Sequence, residues 1–395
     1  MQLPTTNENT LDLPTTTEEA RVAKAQSRFK AWIEALKQVL PIYIGTHIAF
    51  LILTYTATLF LLNHSLDYIM PGHVLQTLFG YWNHYDTIHY VTIAASGYPA
   101  AYETAFFPLY PFLSHLIMLI TGHALIAALI VSNTAGLGML VVCYRLVEMD
   151  FGAERAGRTI LYLAVFPTAF FFAAAYTESL FLLLVLLMFY FMRRGHWWLA
   201  GLATLLAGLT RATTIALFVP LCYEYLRQHD FQWRKIRLDI LNCIGFVGSI
   251  ALFALYCYLK FHDALAFSHG EQKNWGRVFM FPGQSLLYSL QLILKLPILT
   301  FYSMHNVINL CSALVILALL ILSFVGPWKF ARKDWAYPLY GVAVYLFASC
   351  IVIHNLAPLD SLDRYVLAIF PAFIVLAAIG TVSYTHLTLP TILRV

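Results

Sequence analysis

Charged side chains are scarce in this chain. Asp, Glu, Lys and Arg make up 11% of its 395 residues and hydrophobic residues 60%, and the mean hydropathy is +0.72. Soluble domains are about one-quarter charged, so the composition excludes an ordinary soluble domain and indicates an integral membrane protein. The net charge of +4 is spread over short loops, which argues against a nucleic-acid partner and is typical of positive-inside anchoring.

The chain also lacks the usual signs of cysteine chemistry and of a cleavable leader. Its six cysteines show no CxxC spacing and fall in predicted helices, so we predict small apolar core residues rather than redox or zinc sites. Residues 1–39 have no apolar signal-peptide core and predict a basic cytoplasmic tail. Residues 383–395 break the helical pattern and resemble a translated sequencing adapter, so we expect a non-native tail there.

Long hydrophobic runs fill the rest of the sequence. They predict an all-α, polytopic membrane domain over residues 40–382 with about 10 or 11 transmembrane helices and a large first extracytoplasmic loop at 63–105. Basic loops at 145–158, 193–194, 227–237 and 329–333 favour the cytoplasmic side. The polar loops between them then share the opposite face with the first loop. This assignment needs an odd number of crossings between the first loop and residue 145, so either an apolar segment, for which 106–122 is the candidate, re-enters or lies along the membrane, or the positive-inside rule fails there.

The first loop has no Lys or Arg, but it has carboxylates, histidines and aromatic residues. Asp86 and His89 are three residues apart, so a short interfacial helix would present both on one face. The aromatic residues around it would seat this helix at headgroup depth: Tyr81, Trp82, Tyr85 and Tyr90. An alternative is that Asp86 only caps a surface helix and the aromatics form a belt. The carboxylates are Asp67, Asp86 and Glu103.

The loop histidines could suggest a metal site, but their spacing does not favour one. His64, His73, His84 and His89 include no pair at the i, i+4 spacing of a helical zinc site. We therefore expect no metal and no other cofactor.

Other charged residues stand at predicted helix ends on the same face. Glu178 begins an apolar helix, where it suits the helix dipole. Arg211 and Arg364 are candidate ligands for a phosphate, because a lone Arg at such a position is costly without an anion. The alternatives are that Arg211 pairs with Glu178 and that Arg364 pairs with Asp360. Trp275 and Arg277 lie in a polar loop that could hold sugar or phosphate.

Four blocks of sequence, taken in their order along the chain, resemble the PIG-V family. This is the GPI mannosyltransferase 2 type with its bacterial relatives, in the GT-C superfamily of membrane glycosyltransferases. The resemblance spans about 40–380. Two departures are Tyr85, where the family usually has Trp, and Thr214, where it has Gly. The matching residues are Asp86, His89, Gly97-Tyr98, Ala105-Phe106-Phe107-Pro108, Phe166-Pro167, Phe171, Tyr176 to Phe181, Leu209-Thr210-Arg211, Arg364-Tyr365 and Phe370-Pro371.

The resemblance implies a GT-C-like fold and inverting transfer of a sugar, in the family mannose, from a polyprenyl-phosphate donor to an extracytoplasmic glycan or glycolipid. Asp86 would be the base, Arg211, Arg364 and Arg277 would bind the donor phosphate, and no metal would be needed. His89, Glu103 and Glu178 would orient the acceptor or hold Asp86, and Tyr98 and Trp275 would orient the substrates by stacking on sugars.

The resemblance implies an integral protein of a bacterial plasma membrane, or of the endoplasmic reticulum membrane in a eukaryote, in contact with membrane lipid. The need for an accessory subunit stays open. The main alternative function is a polytopic transporter or lipid flippase. A transporter should place charges near helix midpoints and often has two similar halves, whereas the unusual residues here gather at one face and no repeat is visible.

Overall fold

The computed structural model describes residues 17–62, 82–297, 299–353 and 356–392. Within these ranges the regular secondary structure is α-helical, apart from six 3₁₀ turns and one pair of three-residue strands. The α-helices are α1 Thr17–Leu62, α2 Asp86–Ser96, α3 Leu109–Thr121, α4 Ala124–Phe151, α5 Ala153–Ala164, α6 Glu178–Arg193, α7 Trp197–Gly208, α8 Phe218–Gln228, α9 Gly245–Phe261, α10 Ala266–Trp275, α11 Gln284–Lys295, α12 Phe301–Phe324, α13 Ala336–Cys350, α14 Leu362–Leu367 and α15 Phe370–Ile392. The strands are β1 Arg277–Phe279 and β2 Ile351–Ile353.

Four segments of the described chain are long and apolar enough to cross a membrane, and four further apolar helices are shorter. This confirms the predicted all-α membrane fold. The long segments are Phe29–Ala57, Ala124–Phe151, Leu238–Phe261 and Phe301–Phe324, and the short ones are Leu109–Thr121, Trp197–Gly208, Ala336–Cys350 and Phe370–Thr381.

Near both ends of the chain, the helix boundaries differ from those that the sequence pattern predicts. Helix α1 is continuous across residue 39, where the tail was predicted to end. Helix α15 runs to Ile392, so the predicted break near residue 383 is wrong for the backbone. The expectation that residues 383–395 are a non-native tail stays a prediction.

The short segment after the first loop forms α3. Pro108 precedes it and Pro111 lies in its first turn, where a missing backbone N–H costs little. Gly122 ends it with φ of +70°, a left-handed conformation that favours glycine. Its 13 residues extend about 20 Å, less than the roughly 30 Å of a bilayer core. This length supports the interpretation that the segment does not cross the membrane alone.

Close packing of α4 against α6 forms the centre of the core. Gly136 on α4 lets the Ser179 hydroxyl approach to within 3.2 Å of where a Cβ would stand. The Ser132 hydroxyl donates to the Tyr176 carbonyl at 3.0 Å and interacts with the Tyr110 hydroxyl at 2.8 Å. Small residues of this kind allow helix backbones to approach in membranes. The packing fixes the start of α6, where Glu178 lies.

Helix α6 connects two groups of charged residues. Glu178 is its first residue and Arg193 its last, and 15 steps along a helix span about 22 Å. The Arg193 guanidinium donates hydrogen bonds to the carboxylates of Asp150 at 2.9 Å and Asp334 at 2.7 Å, and it lies 3.6 Å from the Glu224 carboxylate. We call Asp150, Arg193, Glu224 and Asp334 the distal ion network. It joins the regions of the four predicted basic loops at one end of the bundle.

The small sheet lies at the other end. Strands β1 and β2 are antiparallel, with Arg277 opposite Ile353. The pairing holds β1 beside the segment that leads into α14, and the Arg277 guanidinium donates to the Ser361 hydroxyl at 3.3 Å. The sheet therefore positions Arg277 near Arg364, across a long stretch of sequence.

Candidate active site

Asp86 lies at the beginning of α2 and forms an ion pair with Arg364 of α14. The preceding residue, Tyr85, has φ of +54°, an unfavourable region for a residue with a side chain. The carboxylate is 24% exposed and the guanidinium 11%. The helix predicted at Asp86 is thus present, and Asp86 faces a specific cationic partner rather than open solvent.

Glu178 is the centre of a second set of ion pairs. Its Oε1 accepts from Arg211 Nη1 at 2.6 Å and lies 3.3 Å from Arg364 Nε. The Glu178 side chain is 3% exposed and Arg211 11%. The alternative in which Arg211 pairs with Glu178 is therefore present in the structure, and the same carboxylate also contacts Arg364. We call Asp86, Glu178, Arg211 and Arg364 the proximal cluster.

Three arginines, Arg364, Arg277 and Arg211, determine the ionisation of Asp86. Burial alone would raise the pKa of this carboxyl, but the charge and hydrogen bond of Arg364, together with the charges of Arg277 and Arg211, lower it below its ordinary value of 3.8. Asp86 is therefore an anion at neutral pH in the state described.

Aromatic rings enclose both guanidinium groups. Arg364 lies 5.1 Å from the Tyr176 ring and 5.6 Å from Phe171. Arg211 lies 4.9 Å from the Tyr365 ring. Such contacts stabilise partly desolvated cations. Tyr176 and Tyr365 belong to the matching sequence blocks, but the only sequence signal for this role is their position beside Glu178 and Arg364.

Arg277 is the third candidate phosphate ligand, and it is paired with Glu271. The distances from Arg277 Nη1 to the two Glu271 carboxylate oxygens are 3.1 and 2.9 Å. Burial raises the pKa of Glu271 although the nearby Arg277 lowers it. Because Arg277 also acts on the pKa of Asp86, the loop that contains it belongs to the same electrostatic environment.

His89 and Glu103 form a neighbouring pair. His89 Nδ1 lies 2.8 Å from Glu103 Oε2, and Glu103 is 5% exposed. The imidazole stacks on Phe106 with centroids 4.5 Å apart, and Trp275 closes on both rings at 5.7 and 5.4 Å. Trp275 thus joins the polar loop to the Asp86 helix.

Two aromatic residues of this region are more buried than expected. Tyr98 is 6% exposed, and its hydroxyl donates to the Phe106 carbonyl at 2.6 Å, so a sugar would have to displace packed groups to stack on it. Tyr90 is also 6% exposed and packs on Phe106 and Tyr110. The expectation that Tyr90 seats the helix at headgroup depth is therefore wrong, because its ring fills the core.

A small cavity lies inside the proximal cluster. Its volume is about 10 Å³, and Glu178, Arg211, Thr213, Arg364 and Tyr365 contribute to its wall. Glu178 Oε2 and the Thr213 hydroxyl are buried there without a hydrogen-bond partner in the described structure. Buried polar atoms are rarely left unpaired, so this cavity has unused hydrogen-bonding capacity for a small polar group.

The structure therefore brings Asp86, Glu178, Arg211 and Arg364 into one cluster, with Arg277 beside it. The alternative pairing of Arg364 with Asp360 is not the one found, since Asp360 lies 3.4 Å from His305. Among the described residues, no group of three or more His, Cys, Asp or Glu side chains could hold a metal ion. Asp67, His64, His73 and Tyr81 lie outside the described residues.

Residues 104–259 match the family model described as dolichyl-phosphate-mannose-protein mannosyltransferase. Two solved structures are similar to this chain: ArnT from Cupriavidus metallidurans bound to undecaprenyl phosphate, with a TM-score of 0.49, and the same protein in the apo state, with 0.44. Each is 17% identical, and each comparison covers 73% of this chain and 53% of that one, so the match spans about half the length of ArnT. No curated protein matches the chain.

Proposed function

We propose that this protein is a membrane glycosyltransferase that moves a sugar, mannose, from a polyprenyl-phosphate donor to an extracytoplasmic glycan or glycolipid, with inversion. The observation that carries the proposal is the proximal cluster, in which the Asp86 carboxylate lies beside two guanidinium groups that share Glu178. The mannosyltransferase family match over 104–259 supports it and includes Glu178 and Arg211, though neither Asp86 nor Arg364.

Asp86 would act as the general base. The acceptor hydroxyl oxygen attacks the anomeric carbon as the bond from that carbon to the donor phosphate breaks. The hydroxyl proton passes to Asp86, and the electron pair of the broken bond leaves with the lipid phosphate. One carboxylate suffices, because displacement in a single step inverts the anomeric carbon and needs no covalent enzyme intermediate.

The arginines would stabilise the departing phosphate. Arg211 donates one hydrogen bond to Glu178, and a guanidinium carries five N–H donors, which leaves donors for a second anion. Arg364 would turn from Asp86 toward the phosphate as the donor enters. Because Arg364 lowers the pKa of Asp86, this movement would make Asp86 a stronger base once the donor is bound.

The remaining residues would act around this centre. Contacts with both arginines favour a positioning role for Glu178. His89 and Glu103 would orient the acceptor beside Asp86, and Trp275 or Tyr98 would stack on a sugar. The transporter alternative has less support, because Glu178 and Arg193 lie at the two ends of α6 rather than near its middle.

The test is transfer of radiolabel from polyprenyl-phosphate-mannose by membranes that contain the chain. Asp86→Asn should lower the rate by about 10²- to 10⁴-fold, the usual contribution of a general base, without lowering expression. The matched control is Asp263→Asn, which changes a carboxylate that is paired with His269 in the polar loop and should keep wild-type activity.

Equal rates for wild type and Asp86→Asn would remove Asp86 as the base. Loss of activity in EDTA would contradict the metal-independent mechanism. Absence of transfer by the wild type with mannose and other polyprenyl-phosphate sugars would favour the transporter alternative.

A further inference from the structure

A second cavity lies at the other end of the bundle, beside the distal ion network. Its volume is about 200 Å³, which exceeds the cavity of the proximal cluster about twentyfold. Its lining includes Arg155 of α5, residues 328–331, and Ile374, Val375 and Ala378 of α15. The lining therefore combines cationic and apolar residues.

The cations of this cavity have no carboxylate partner among the described residues. Among the described residues, neither Arg155 nor Lys329 forms an ion pair, and the Arg155 guanidinium instead lies 5.6 Å from the Phe151 ring. The one carboxylate in the cavity wall, Asp334, is bound by Arg193 at 2.7 Å. The free charge in the cavity is therefore positive.

Trp328 adds a second, independent feature. Its indole Nε1 is buried and has no hydrogen-bond partner in the described structure, although an indole N–H is a donor that usually finds one when buried. It lines the same cavity as Lys329. A ligand with acceptor oxygens would use this donor and meet both cations.

We infer that this cavity binds a phosphate group, as carried by an anionic lipid or by free phosphate. A phosphate would be the negatively charged partner that Arg155 and Lys329 lack, and it would offer a hydrogen-bond acceptor to the Trp328 indole N–H. The apolar lining of Ile374, Val375 and Ala378 suits an attached acyl chain. The site does not depend on the proposed transfer reaction, because Asp334 belongs to the distal ion network, about 22 Å along α6 from Glu178.

The test uses the purified full-length chain in detergent and three probes: phosphatidylglycerol, phosphatidylcholine and inorganic phosphate. Phosphatidylglycerol should raise the apparent Tm by about 5 °C at saturation, and phosphatidylcholine should not. In the double variant Arg155→Gln/Lys329→Gln, the Kd for phosphatidylglycerol should rise at least about tenfold. The matched control Arg332→Gln/Lys333→Gln removes two exposed cations of the same region and should bind as wild type does.

An effect with phosphatidylglycerol alone identifies a lipid site, and an equal effect with inorganic phosphate identifies a free-phosphate site. Equal loss of binding in the cavity and control variants would overturn the inference, because it would indicate non-specific attraction, and so would the absence of any shift with all three probes. If the double variant is unstable without ligand, Trp328→Phe removes the indole N–H donor while keeping an aromatic ring, and it should still weaken binding.

Discussion

At the scale of single residues, the pairing of Asp86 with Arg364 determines when the carboxylate is ionised. Burial raises its pKa and the neighbouring arginines lower it, with a net decrease. A group whose folded pKa is lowered contributes stability above its unfolded pKa and loses that contribution as the pH falls through the folded pKa. Asp86 should therefore stabilise the fold at neutral pH and stop doing so only in strong acid.

The same reasoning predicts the pH profile of an Arg364→Gln variant. Without the guanidinium the desolvation of Asp86 is less compensated, so its pKa should rise and the acid limb of kcat/KM should move to higher pH. Residual transfer measured between about pH 4 and pH 8 checks this. The control is Arg332→Gln, far from Asp86 in the basic loop, which should keep the wild-type profile. An unchanged acid limb in Arg364→Gln would contradict the assignment of Asp86 as the base.

The sequence could identify the charged residues of the proximal cluster but not their partners. A lone Arg in an apolar context is costly without an anion, and this made Arg211 and Arg364 candidates. The pair of Arg364 and Asp86 joins positions 278 residues apart, and nothing in local spacing predicts such a contact. Asp150, Glu224 and Asp334 were missed for the same reason, since their shared partner Arg193 becomes visible only when the helices pack.

At the scale of elements, the polar loop depends on one glycine. Gly270 of α10 lies against the backbone of Tyr102, and an added Cβ would stand 2.8 Å from its carbonyl oxygen, closer than real contacts allow. Because α10 leads directly into β1, this contact also determines where Trp275 and Arg277 lie.

Gly270→Ala should therefore displace the loop. We expect transfer to fall about 10- to 100-fold, because small misplacements of binding groups are costly, and hydrogen exchange over 266–279 to increase. The matched control is Gly157→Ala in α5, where a Cβ would meet nothing within 4 Å and helix propensity should stabilise the chain by up to about 1 kcal/mol. Similar exchange and activity in the two variants would refute the role of Gly270.

Helix starts were easier to predict than helix interruptions. The short helix at Asp86 and the start of α6 at Glu178 agree with the sequence, because a carboxylate at a helix N-terminus next to an apolar run is a local signal. The helical segment at the end of the chain is divided in two, because α14 ends at Leu367 and α15 begins only at Phe370. The chain breaks there before Pro371, and Arg364 consequently lies on a separate short helix that can face Asp86.

At the scale of the whole molecule, the distal ion network joins three α-helices, α4, α6 and α8, and the 3₁₀ turn that contains Asp334. Removing Arg193 would leave Asp150, Glu224 and Asp334 buried with less compensation. We expect Arg193→Gln to lower the free energy of unfolding by about 3–5 kcal/mol, as for other broken buried pairs, measured by denaturant titration in detergent. The control Arg194→Gln removes the neighbouring cation, which lies 4.5 Å from the Tyr190 ring, and should cost about 1 kcal/mol or less. Equal losses would contradict the network.

The two ends of the bundle also differ in charge in a way that predicts which side of the membrane each faces. Basic loops favour the cytoplasm, and the regions containing the four basic loops meet at the distal ion network, so the proximal cluster should face outward. A donor with its sugar outside would then reach Asp86 directly. The proposed acceptor chemistry depends on this orientation.

Thiol labelling of whole cells tests the orientation. Lys273 in the polar loop and Arg332 in the basic loop are both exposed, so Lys273→Cys and Arg332→Cys form a matched pair, with the wild-type chain as background for the native cysteines. A membrane-impermeant maleimide should label Lys273→Cys in intact cells and Arg332→Cys only after permeabilisation. The reverse pattern would place the proximal cluster in the cytoplasm. An extracytoplasmic acceptor could then no longer reach Asp86, and the phosphate cavity at the distal end would face the outer leaflet.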